Sequence, residues 1–243
     1  YLIDLKYSEN SWIKKHSFNQ GDIFFIEKKE DENLVRQLPE VNGAIVVLNP
    51  HNGDILALSG GISFKLSEFN RATQAKRQPG SAFKPFVYIT ALKEGYNPST
   101  LVLDAPYVVD QGPGLPKWKP ANYTEEFYGL NTMRTGIEKS RNLMTIRLAD
   151  KIGMQKILST SKDFKISKYI DEKLSMSLGS GLVTLVDITN AYGMIVNGGK
   201  NINPTMIKSI YSKEGKKILH NEIKSCENCN LKSINVNYEI PKI

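Results

Sequence analysis

At 243 residues with 40% apolar side chains, the chain is long enough to bury a sizeable core, and disorder is not expected. The net charge of +7 favours acidic partners, but the lysines and arginines are spread thinly, with no basic block of the kind that tracks nucleic acid. The longest strictly apolar run, Ala44-Ile45-Val46-Val47-Leu48, is far short of the ~20 residues that span a bilayer, and the start of the chain has no signal-peptide pattern.

Residues 1 to about 38 are polar and carry no recognisable chemistry. Gly21-Asp22-Ile23-Phe24-Phe25-Ile26-Glu27 predicts a turn followed by a strand, and the charged run Glu27-Lys28-Lys29-Glu30-Asp31-Glu32 predicts a solvated loop. From Val41 the texture changes, which places a domain boundary near residue 40. Ala44 to Leu48 and Ile55 to Ser59 read as apolar strands joined by turn formers from Asn49 to Asp54, a hairpin. Strands so apolar predict a sheet covered by helices on both faces.

After Gly60-Gly61 and Phe69-Asn70-Arg71-Ala72-Thr73 comes Gln78-Pro79-Gly80-Ser81-Ala82-Phe83-Lys84-Pro85-Phe86. Pro79-Gly80 marks a turn, and the apolar run Val87-Tyr88-Ile89-Thr90-Ala91-Leu92 predicts a buried helix ending near Gly95. Ser81 stands at the start of that helix, with Lys84 three residues on and on the same face. Desolvation of a buried lysine favours its neutral amine, a base that activates an otherwise weak serine nucleophile. The free N–H groups of the first turn suit a developing oxyanion.

Residues 96 to 130 show no long helical period and many turn formers, a loop long enough to be functional or mobile. Within it, Trp118-Lys119-Pro120-Ala121-Asn122-Tyr123 offers rings beside an amide that could line a groove; a tryptophan anchoring the loop is the competing reading. Helices are expected from about Thr132 to Lys139, after Asn142 with Gly153 as its stop, between Gln155 and Ser161, and after Thr184, whose capping-box partner is Asp187. The last ends at Gly198-Gly199. Met206 to Tyr211 and Lys216 to Leu219 predict a second hairpin through Lys213-Glu214-Gly215. Cys226 and Cys229 fit a small disulfide loop; half a zinc site is the other reading, disfavoured because no second C-x-x-C exists and His220 is the one histidine nearby.

Neither active-site pattern is specific alone. S-x-x-K recurs at Ser11/Lys14 and Ser159/Lys162, and S-x-N, found at Ser140-Arg141-Asn142, recurs at Ser8/Asn10 and Ser233/Asn235. The decoys lack the order of features: a serine before a buried helix, then an S-x-N turn between two helices. There a hydroxyl can relay a proton and an amide can hold a peptide carbonyl. Together these are two of the three motifs of penicillin-binding proteins and class A β-lactamases.

The wider sequence resembles the class A penicillin-binding proteins over about residues 37 to 224. The likeness rests on Gln37 to Ala44, Phe69 to Ala75, Arg77 to Ser81, Trp118-Lys119-Pro120 with Asn122-Tyr123, Ser140-Arg141-Asn142, Leu178-Gly179-Ser180-Gly181 and Asn197-Gly198-Gly199. The resemblance implies an α+β fold of the penicillin-binding transpeptidase or serine β-lactamase type, a central sheet with helices on both faces. It would occupy residues 39–243 and be incomplete at its C-terminal end. Residues 1–38 resemble the end of the OB-like β-domain that precedes it.

The resemblance further implies D,D-transpeptidation of peptidoglycan stem peptides. Ser81 would be the nucleophile, Lys84 its base, Ser140 the proton shuttle and Asn142 a catalytic and donor-binding residue, with Trp118 and Asn122 in the substrate groove. β-Lactams would acylate Ser81, and no cofactor, metal or nucleic acid is expected. The parent protein would be held at the periplasmic face of the cytoplasmic membrane by a segment outside this chain. The third motif, K-T/S-G, is absent; Arg134-Thr135-Gly136 mimics its letters on a predicted helix. Two other readings are a hydrolase on the same scaffold, either a D,D-carboxypeptidase or a β-lactamase, and a non-catalytic β-lactam sensor or scaffold. No glutamate after Ser140 lies in the E-x-x-L-N setting of a class A β-lactamase, and agreement in the flanks argues against a sensor.

Overall fold

A computed structural model describes residues 19–28, 30, 33–36, 39, 41–110 and 112–220. Contacts divide the chain into two units, residues 1–43 and 44–243. In the first, β1 (Phe25–Lys28) pairs antiparallel with β2 (Asn33–Arg36). The charged run expected to be a loop is therefore strand at its start: Glu27 lies in β1 and accepts a hydrogen bond from Arg36 Nε at 2.7 Å. All four β1 residues are exposed, so the ribbon takes charged side chains without desolvating them.

The second unit runs β3 (Ile45–Leu48), β4 (Ile55–Ser59), a 3-10 turn (Gly80–Phe83), α1 (Lys84–Lys93), β5 (Leu101–Asp104), β6 (Gly129–Thr132), α2 (Met133–Glu138), α3 (Asn142–Ile152), α4 (Met154–Asp163), a second 3-10 turn (Leu174–Leu178), α5 (Leu185–Val196), β7 (Ser209–Tyr211) and β8 (Lys217–His220). The strands pair as consecutive antiparallel hairpins, β3 with β4, β5 with β6 and β7 with β8.

The β3–β4 hairpin forms as expected, but among the described residues one face is covered. α5 packs on β3, where Leu48 Cδ2 lies 3.1 Å from the place a Cβ on Gly193 would occupy. Ile45, Val47 and Leu56 on the ribbon are exposed. An apolar run says that a strand is compatible with burial, not which element supplies it.

The core forms around α1, whose Phe86, Val87 and Ala91 are fully buried against Met144, Leu148 and Ala149 of α3 and Ile157 of α4. Such a helix, apolar on most of its faces, belongs inside a domain. Phe86 is held edge-on by Phe164 and Tyr192, with ring centroids 5.1 and 6.0 Å away. Helix ends follow their chemistry. Thr184 Oγ1 accepts from the Asp187 N–H at 3.1 Å to start α5, and Gly153, at φ +90°, stops α3. β5 and β6 escaped the sequence reading, which left residues 96 to 130 as loop. Each has four residues, and their partners are separated by the loop 105–128.

Candidate active site

Ser81 lies in the 3-10 turn rather than in the α-helix that the sequence predicts for it. Pro85, in the first turn of α1, has no N–H, and the chain enters the helix through this tighter turn. In 3-10 geometry residues three apart eclipse, which keeps Ser81 and Lys84 on one face, and the Lys84 N–H donates to the Ser81 carbonyl. The turn is clamped from two sides. Gly80 N–H donates to Gly179 O at 3.1 Å, and Tyr192 of α5 donates its hydroxyl to Ala82 O at 2.9 Å. Ser81 itself is exposed.

Lys84 is 1% exposed, and its Nζ donates to Ser140 O at 2.6 Å and Asn142 Oδ1 at 2.6 Å, and meets Ser140 Oγ at 2.9 Å. Burial disfavours its charge and lowers its pKa to about 8. Two of the three partners are pure acceptors, so they hold two N–H bonds whether the amine is charged or neutral. The third is a hydroxyl, which can give or take a proton. The Lys84–Ser140 contact is therefore the place where a proton can pass.

Ser140 lies in the left-handed region at φ +52°, an uncommon conformation for a residue with a Cβ. It is fixed by its neighbours: Ser140 N–H donates to Ile137 O at 3.1 Å and Arg141 N–H to Gly136 O at 2.9 Å. On the far side the Asn142 carboxamide donates to Ala121 O at 2.8 Å. The turns into α1 and α3 thus meet at one buried amine, and Asn142 links the long loop to them through Ala121.

The sequence profile of the penicillin-binding protein transpeptidase domain matches residues 43–230. The chain belongs to this family. Penicillin-binding protein 1A of Rickettsia bellii is 46% identical over 230 residues, which cover 92% of this chain and 29% of the relative. The protein of that name from Pseudomonas aeruginosa is 40% identical over 199 residues, 80% of this chain and 24% of the relative. Among solved structures, penicillin-binding protein 1A from Haemophilus influenzae aligns with a TM-score of 0.75 at 33% identity, over 81% of this chain and 30% of that one. PonA1 from Mycobacterium tuberculosis, solved in complex with penicillin V, aligns with a TM-score of 0.67 at 24% identity over 75% of this chain and 50% of that one, a likeness of fold. The chain spans less than a third of the curated relatives it matches.

Within this transpeptidase domain Lys84, Ser140 and Asn142 converge, and Ser81 leads into the same helix. Arg134-Thr135-Gly136 lies on α2, as its sequence context predicts, and Gly136 packs against Tyr88 and Met144. Trp118 is half-buried, and its backbone pairs with Val109 through two 2.9 Å hydrogen bonds that close the long loop on itself. Asn122 is buried at 4% exposure and turned to α3 and β5. Cys226 and Cys229 lie outside the described residues. Among the described residues no cluster of His, Cys, Asp and Glu is suited to a metal ion, and no helix is long and apolar enough to cross a membrane.

Sequence reasoning passed over Tyr192, Asp104 and the reason for Gly179. Gly179 was visible as part of a family pattern. Nothing local announces that the Tyr192 hydroxyl serves the Ser81 turn, through an Ala82 carbonyl 110 residues away.

Proposed function

We propose that this domain is the acyl-transferring part of a peptidoglycan D,D-transpeptidase. The Ser81 hydroxyl attacks the carbonyl between the two terminal D-alanines of a stem peptide, and the neutral Lys84 amine takes its proton. The Oγ–C bond forms as the C–N bond breaks, and the proton leaves by way of Ser140 on the amine of the departing D-alanine. An amine of a second stem peptide then attacks the ester, gives up its proton along the same path, and releases Ser81 with the cross-link made. β-Lactams enter at the first step and acylate Ser81.

The observation that carries this reading is the buried Lys84, lowered to about 8 and bonded to both Ser140 and Asn142. A solvated lysine three residues from a capping serine has neither property. Asn142 holds the acyl donor's backbone as well as the lysine, and Trp118 lines the groove. Residues 1–38 are read as the end of an OB-like β-domain. The parent protein works at the periplasmic face of the cytoplasmic membrane.

Intact mass after incubation with benzylpenicillin tests the reading, with Ser81→Ala beside it. One penicillin added to the wild type and none to the variant is the expected result. Equal labelling of both, or none of the wild type in a protein extended through a K-T/S-G strand, overturns it. Rapid loss of the adduct points to a hydrolase.

A further inference from the structure

α3 begins without a cap of its own. Arg141, at its N-cap position, offers no capping side chain, yet the first N–H groups of the helix need acceptors. Asn122, 20 residues earlier, supplies them: its Oδ1 accepts from Asn142 N–H at 2.9 Å and from Leu143 N–H at 3.3 Å. Its Nδ2 donates to Asp104 Oδ1 at 2.7 Å and Glu126 O at 2.9 Å. A carboxamide has two donors and two good acceptor positions, so Asn122 has nothing left for a substrate.

Asp104 ends β5 on its inward face and is fully buried. Its Oδ1 holds Asn122, and its Oδ2 makes no hydrogen bond, with Arg141 Nε at 3.9 Å, beyond hydrogen-bond reach. Arg141 in turn lies over the Tyr128 ring, 3.4 Å from its centroid. A buried carboxylate this sparsely compensated is costly for folding alone. Its two interactions reach the two residues that follow the strained Ser140.

We propose that Asp104 and Asn122 are positioning residues for acyl transfer: Asp104 fixes the Asn122 carboxamide, and Asn122 caps α3 and so fixes the Asn142 that grips Lys84. This rests on the transpeptidase reading for its consequence in catalysis, though not for its geometry. It replaces the substrate-groove role that the sequence pattern suggests for Asn122. An aspartate at 104 keeps the amide the right way round, because a carboxylate accepts only, which forces Nδ2 toward β5 and Oδ1 toward the helix.

The test compares Asp104→Leu, Asp104→Asn and Asn122→Ala in the whole chain by two measurements. The first is amide hydrogen exchange at Asn142 and Leu143, which needs no substrate. Asp104→Leu and Asn122→Ala are expected to raise it at least about tenfold at these two amides while α1 stays protected; Asp104→Asn, which retains an acceptor for Asn122, stays within about threefold of wild type. The second is acylation by benzylpenicillin at saturating concentration. Asp104→Leu is expected to lower the acylation rate constant about tenfold or more, with the non-covalent dissociation constant within about twofold, and Asp104→Asn to restore it. Unchanged exchange at Asn142 and Leu143 in Asn122→Ala overturns the proposal. So does an equal loss in Asp104→Asn and Asp104→Leu, which would make charge rather than orientation the cause. A wild type that is not acylated even when extended through a K-T/S-G strand defeats the transpeptidase reading and leaves the exchange result to decide this one.

Discussion

Gly179 lies so close to Gly80 that a Cβ on it would sit 2.0 Å from the Gly80 carbonyl oxygen and 2.6 Å from its carbon. The neighbour is backbone, so nothing can swing aside, and Gly179 also adopts φ +80°. Gly179→Ala must therefore push away the turn that carries Ser81. We expect a loss of about 3 kcal/mol in unfolding free energy by denaturant titration, together with slower acylation by benzylpenicillin. Wild-type values for both would show that the two segments are not locked together.

Gly136 sets two familiar effects against each other. An alanine inside a helix is ordinarily better than glycine by about 1 kcal/mol. Here its Cβ would lie 2.6 Å from the Tyr88 hydroxyl and 3.0 Å from Met144 Cε. Met144 can yield, but Tyr88 is 5% exposed on a rigid ring and its hydroxyl meets Thr145 Oγ1 at 3.4 Å. Overpacking costs about 1 to 3 kcal/mol, so Gly136→Ala is expected to be net destabilising by about 1 kcal/mol. A thermal midpoint above wild type would mean that the helix term wins.

Much of this site was legible because its signals are local. Ser81 and Lys84 are three residues apart, Ser140 and Asn142 two, and helices α3 to α5 show their stripes and stops within a dozen residues. What escaped depends on distant partners. β5 pairs with β6 across the loop 105–128, Asn122 caps a helix 20 residues on, and Tyr192 reaches Ala82. Asp104 stands in the stretch that reads as loop, and its burial follows from which face the β5–β6 pairing turns inward. The 3-10 turn at Ser81 was within reach, since a proline one residue after the lysine already limits the helix.

Asn142→Asp exchanges a neutral acceptor for a carboxylate 2.6 Å from the Lys84 amine. An opposite charge that close holds a lysine in its charged form and raises its pKa by about 1 to 3 units. The base is then protonated at neutral pH, and the pH at which penicillin acylation reaches half its plateau is expected to move up by a similar amount. The variant also loses the bond from Nδ2 to Ala121 O, which lowers the plateau without moving the limb. An unmoved limb would mean that Lys84 is not the titrating base.

Lys84 ties function and stability to the same proton. Burial lowers it from 10.5 to about 8, so the neutral fraction, and with it acylation of Ser81, is expected to rise about tenfold from about pH 7 to about pH 9. Between the folded value and the ordinary lysine value the unfolded chain holds a proton that the folded chain has released. Stability therefore climbs as pH rises through that window, and below it the folded state bears the whole cost of a buried charge. Lys84→Met has no such group. The difference in unfolding free energy between wild type and variant should be constant below about pH 7 and shift toward wild type as the pH rises from about 8 to about 10.5. Urea titrations at several pH values measure it, and a difference that stays flat throughout would place the Lys84 amine at its ordinary value and remove it as the base.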